Sequence, residues 1–181
     1  MSMSISFELT DRDLRFFREA LKQSRDAVRD AGEAEIIDAI GDVLEEIRQS
    51  EPLPDFVGER IPMLESLIAM LTDDEWQLPE IDRERLLATF VYFADPEDIL
   101  PDDIPVIGYL DDVIIIELVL RELKHVREAY EDFCGFRDDF EREQGKNVDP
   151  VIRRDRLDRR RQQLHQRMRR RSAQQTKSEL W

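Results

Sequence analysis

Apolar residues return every three or four positions along almost the whole chain and nowhere alternate with polar ones over a strand's length, so the pattern admits helices and little else. Leu14, Phe17, Leu21 and Val28 mark the first repeat, which runs up to Gly32 from an N-cap at Thr10 with Asp11 and Asp13 in the first turn. A second repeat, from about Glu33 to Gln49, passes through Ile36, Ile40, Val43 or Leu44, and Ile47, and Pro52 and Pro54 end it. Val57, Ile61, Leu64, Ile68 and Leu71 continue the spacing, with Pro62 expected to mark the true start of that helix. After the Pro79 connector, Asp82 is expected to cap a fourth helix that reaches Phe93.

A Pro-rich acidic loop then runs from Ala94 to Gly108. From Tyr109 the spacing predicts a long helix whose first half, Val113 to Leu120, is apolar on nearly every side and therefore central in the bundle. Its second half is amphipathic through Val126, Tyr130, Phe133 and Phe140, and Gly135 is the expected point of division. Asp149 and Pro150 form a cap and first position for a last helix, roughly Val151 to Arg171. Its apolar seam is thin, Leu157, Leu164 and Met168 with Arg161 intruding. The expected architecture is all-α: an acidic helical bundle over residues 1–148 and an Arg-rich helical tail over 149–181 that stands outside it. A body of this length buries a core without disulfides or metal.

Charge divides at the same boundary. The 27 Lys and Arg set against 42 Asp and Glu give a net −15. Eleven of the basic residues lie in Val151 to Trp181, opposed there by Asp155, Asp158 and Glu179, so the tail carries +8 and the first 150 residues −23. Such a tail is expected to meet something anionic, and the nearest anionic object is the body itself.

Lone Cys134 makes no internal disulfide and no thiol cluster, which fits a reducing, cytoplasmic setting. Met1 to Leu9 lacks the basic start and apolar run of a secretory signal, and Ile104 to Leu120 is interrupted by Asp111, Asp112 and Glu117, so no transmembrane segment is expected. His125 and His165 are forty residues apart, and no Gly-rich phosphate loop, G-x-S-x-G elbow or H-E-x-x-H pair is present; the expected function is not enzymatic and no catalytic residue is assigned.

The stretch from Asp95 to Asp112 has a spacing of its own: Asp98, Pro101, Asp102, Pro105, Gly108, Leu110, Asp111 and Asp112. This pattern resembles the signature of the YkvA-like bacterial family of unknown function, over about Leu86 to Lys124. The resemblance implies a small helical domain and supplies no activity, cofactor or catalytic residue. Asp103 departs from it, standing where such sequences place an apolar or aromatic residue.

Within that stretch Asp98, Asp102, Gly108, Asp111, Asp112 and Glu117 form a candidate loop site. Oxygen ligands of this kind suit Mg²⁺ or Ca²⁺, with Asp98, Asp102, Asp111 and Asp112 as the metal candidates, but the spacing is not that of an EF-hand. Helix capping and turn formation account for the same carboxylates, and no cofactor is required. Glu117, among isoleucines and leucines, needs a cationic partner: Arg121 one turn on, or Arg83 or Arg85 through folding.

The second candidate surface is the tail. Arg153, Arg154, Arg156, Arg159, Arg160, Arg161, Arg167, Arg169, Arg170 and Arg171 suit carboxylates, held bidentately, or phosphates. The expected function is a cytosolic helical interaction or regulatory module using a protein partner or self-association, with the acidic body and Arg-rich helix as complementary surfaces. The alternatives are a nucleic-acid- or ribonucleoprotein-associated accessory protein using the tail, and a divalent-metal-dependent activity at the loop. The apolar stripe is too narrow for docking on an anionic membrane.

Overall fold

The computed structural model describes residues 8–28, 32–49, 55–94, 110–144 and 148–174. It is all-α, with no strand among the described residues. Helix α1 spans Asp11–Ala27, α2 Glu33–Gln49, α3 Asp55–Gly58, α4 Ile61–Thr72, α5 Glu80–Ala94, α6 Leu110–Glu122, α7 Lys124–Gln144 and α8 Pro150–Gln174. No described helix is long and apolar enough to cross a membrane.

The local signals place most boundaries. Thr10 opens α1 with its backbone N–H and its hydroxyl both donating to Asp13 Oδ2, at 2.9 and 2.7 Å. Pro62 lies in the first turn of α4, where its missing N–H costs nothing. The expected cap at Asp82 is corrected: α5 starts two residues earlier, and the Pro79 carbonyl accepts from the N–H groups of Asp82 and Arg83, both at 2.9 Å. Asp82 is instead a buried side chain in the first turn, 3.3 Å from Arg85, and burial raises its pKa.

The expected division at Gly135 is also corrected. Helices α6 and α7 meet at Leu123, and α7 runs unbroken through Gly135. A Cβ on Gly135 would meet nothing within 4 Å, so this exposed glycine costs helix propensity without forcing a break. Leu123 is fully buried, at the point where a helix apolar on most sides gives way to an amphipathic one. The expected Ala94–Gly108 loop falls almost wholly outside the described residues.

Helix α5 is the element the others gather round, packing against α1, α2, α4 and α6. Five consecutive residues, Leu86 to Phe90, are buried, which a helix achieves only when neighbours cover it on every side. α6 shares the interior through Ile115, Ile116 and Leu118 to Leu120. The core then continues through α7, by Val126, Ala129 and Phe133, into α8, by Leu157, Leu164 and Met168. The expectation that the Arg-rich helix stands outside the globule is therefore corrected: three side chains at helical spacing, each 4% exposed or less, tie it into the same core.

Candidate functional site

Helices α7 and α8 form an antiparallel pair. Arg153 pairs with Glu141, Arg160 lies over the Phe136 ring, Arg167 pairs with Asp132 and Arg171 with Glu128, so position falls along α7 as it rises along α8. The seam between them is apolar at Leu157 and Leu164, with arginines beside these leucines. An arginine tolerates such a position because its alkyl stem packs on apolar surface while its guanidinium reaches outward.

The connector between α4 and α5 is gripped by this pair. Asp73 begins it with an Asx turn, its Oδ1 accepting from the N–H groups of Glu75 at 2.9 Å and Trp76 at 3.1 Å. Asp73 Oδ2 accepts from the Tyr130 hydroxyl at 3.2 Å and from Arg137 at 2.9 Å. Glu75 accepts from both terminal guanidinium nitrogens of Arg153, and from Arg137 at 3.1 Å, while Arg161 donates to the Glu75 carbonyl oxygen at 3.1 Å. The hydrogen bond from Arg153 holds the Glu75 carboxyl below its ordinary pKa, with Arg137 adding to it and partial burial opposing. Gln77 follows with φ 50°, the left-handed conformation of a tight helix stop, its N–H on the Asp73 carbonyl.

These bonds seat Trp76, which is fully buried against Tyr130, Phe133 and His165. Burial, and then Arg161 and Arg169, push the His165 pKa down to about 4. The ring is thus neutral at neutral pH and serves as an aromatic wall. The sequence gives no direct sign of this arrangement beyond an Asp three residues before a Trp. The partners Arg137, Arg153 and Arg161 arrive from 62 to 86 positions away.

The ten candidate arginines divide between two roles. Arg153, Arg160, Arg161, Arg167 and Arg171 turn inward to the body, Arg153, Arg167 and Arg171 onto carboxylates, Arg160 onto the Phe136 ring and Arg161 onto the Glu75 carbonyl. Arg154, Arg156, Arg159, Arg169 and Arg170 are exposed. Arg159 pairs with Asp155 on its own helix at 2.7 Å, and Arg154 lines a cavity of about 320 Å³ against the connector. Arg156, Arg159, Gln163, Gln166 and Arg170 advance by three and four, with Gln162 and Arg169 beside them, and all seven are exposed.

The loop site is only partly described. Asp98, Asp102 and Gly108 lie outside the described residues, as does the side chain of Asp112. Asp111 is 1% exposed in the first turn of α6. No group of three or more potential ligands that could hold a metal occurs among the described residues. Glu117 is paired, but the expected partners Arg121, Arg83 and Arg85 are corrected to Arg60, whose guanidinium donates to Glu117 Oε1 at 2.9 Å. Arg60 stands in the turn before α4, so the long-range contact prevails over the local i,i+4 option; Arg83 is spent on Glu33 and on the Leu71 carbonyl. His125 is more enclosed than a solvated face implies, at 21% side-chain exposure, and lies 3.8 Å from Glu128.

Residues 85–118 match the family described as Protein of unknown function (DUF1232). The match runs from α5 into α6 and stops short of the α7–α8 pair. No curated protein and no solved structure matches the chain.

Proposed function

We propose that the chain is a non-enzymatic helical interaction module whose working surface is the outward face of α8, with the acidic bundle as its frame. The observation that carries this reading is the division of the arginines. Five are spent on fastening the helix, and the exposed ones are presented on a helix whose position is already fixed. A preordered surface loses little conformational freedom when it binds. The YkvA-like resemblance, which overlaps the matched family segment, belongs to the frame. Lone Cys134, half-buried and with its thiol pKa raised by burial, suits a cytoplasmic setting.

Affinity capture from cell lysate at two salt concentrations, with and without nuclease, tests this reading. The full chain is expected to retain specific material that the triple variant Arg156→Glu, Arg169→Glu, Arg170→Glu loses while its melting temperature is unchanged. Identical retention by both proteins would refute it.

A further inference from the structure

We infer that the outward face of α8 binds the backbone of a nucleic-acid duplex, with glutamines facing the groove and arginines on its two phosphate rims; this rests on the working surface proposed above. Along the face, Arg156 and Arg159 come first, then Gln162, Gln163 and Gln166, then Arg169 and Arg170. At 1.5 Å rise per residue the two arginine groups are separated by about 15 to 21 Å. Laid across a major groove about 12 Å wide, the helix brings one arginine group to the phosphates of each rim and holds the glutamines over the groove between them. Glutamine amides donate and accept at once and so match the mixed donors and acceptors of base edges, whereas a purely acidic surface uses only their donors.

The −23 carried by the first 150 residues is the obvious objection, and the structure answers it locally. Three α7 carboxylates, Glu128, Asp132 and Glu141, are already paired across the seam with α8, with Arg171, Arg167 and Arg153 respectively. The inward arginines thereby neutralise the edge that a bound polyanion would otherwise approach. Among the described residues Arg156, Arg169 and Arg170 have no carboxylate partner, and Arg159 has one exposed, weak pair to surrender. Arginine's fork also suits phosphate in a way the compact lysine ammonium does not. Of the possible anionic partners, a duplex is favoured over an acidic protein because two exposed arginine groups about 15 to 21 Å apart match two phosphate rims, with glutamines over the groove between them.

Fluorescence anisotropy of the full chain decides it, using a DNA duplex of about two helical turns, an RNA duplex of equal length and poly-glutamate as three separate probes. A duplex is expected to bind at low salt, with log K falling against log salt at a slope of about −3 to −4 for four phosphate contacts, roughly a 100-fold loss between about 50 and 200 mM. Each single substitution Arg156→Gln, Arg159→Gln, Arg169→Gln or Arg170→Gln should reduce the slope by about one. The triple substitution Gln162→Ala, Gln163→Ala, Gln166→Ala should weaken duplex binding and leave the slope unchanged. Thermal melting checks that these exposed substitutions leave the fold intact. Absence of saturable binding to either duplex overturns the inference, as does duplex binding insensitive to the arginines. Poly-glutamate binding more tightly than a duplex, with the same arginine dependence, overturns the duplex inference but keeps the interaction module. Loss of neither duplex nor captured material in the triple Glu variant overturns both.

Discussion

The imidazole of His165 meets the indole of Trp76 edge to face, with ring centroids 4.6 Å apart, and so joins the Arg-rich helix to the connector between α4 and α5. An aromatic pair of this geometry contributes about 0.5–1.5 kcal/mol beyond the area it buries. The contact needs a neutral ring, because a protonated one would sit half-buried between Arg161 and Arg169.

Folding stability is therefore expected to depend on the His165 proton. Its folded pKa, about 4, lies below the ordinary value of 6.5, so the unfolded chain binds the proton more tightly. The stabilisation is fully present above pH 6.5 and is lost as pH falls toward 4. With solvent screening at this half-buried ring the loss is about 1–2 kcal/mol. Urea denaturation across this range should show the slope, and His165→Asn should flatten it. A slope unchanged in that variant would exclude His165 as its source.

Trp76 is the side chain the connector exists to place. Trp76→Ala should cost about 3–5 kcal/mol, and Trp76→Phe less, measured by chemical denaturation followed by circular dichroism. Tryptophan emission of the native chain should contain a blue-shifted component from buried Trp76 that Trp76→Phe removes.

The Glu75–Arg153 pair holds the connector from the side of α8 and is partly exposed, at 38% and 31%. A double-mutant cycle with Glu75→Gln and Arg153→Gln is expected to give a coupling of about 0.5–1.5 kcal/mol, reduced by added salt. Coupling of zero at low salt would mean that this pair does not help to hold α8 on the connector. Because hydrogen bonding depresses the Glu75 pKa, this contribution is present above the ordinary carboxylate value of 4.5 and lost as pH falls through the depressed one, a window that begins at the lower end of the one set by His165.

Glu117 gives a similar test of long-range against local pairing. Arg60→Ala should destabilise by about 0.5–1 kcal/mol, since the pair is partly exposed, whereas Arg121→Ala should be neutral. The reverse ranking would restore the i,i+4 partner.

Helix existence and most boundaries were legible because they depend on local chemistry: Thr10 with Asp13, Pro62 in a first turn, the Asp149 carboxylate on the Val151 N–H at 2.8 Å. What escaped was pairing across the fold. Glu117 had a satisfactory neighbour at Arg121, and only tertiary packing brings Arg60 closer. Arg161 looked like an intruder in an apolar seam, yet a backbone carbonyl of the distant connector is its acceptor. Trp76 carried no periodic signal, because it lies in an irregular segment anchored by residues of two later helices. The exposed arginines were legible as charge, but which of the ten faced outward depended on the register of α8 against α7.

That register is tested most directly by two adjacent substitutions on α8, Leu164→Ala and Gln163→Ala, compared by equilibrium denaturation. Leu164 is 2% exposed within the core and Gln163 is exposed, so the first should lose about 2–4 kcal/mol and the second nothing beyond a few tenths. Equal, small effects of the two would show that α8 does not pack into the globule and that its outward face is not fixed.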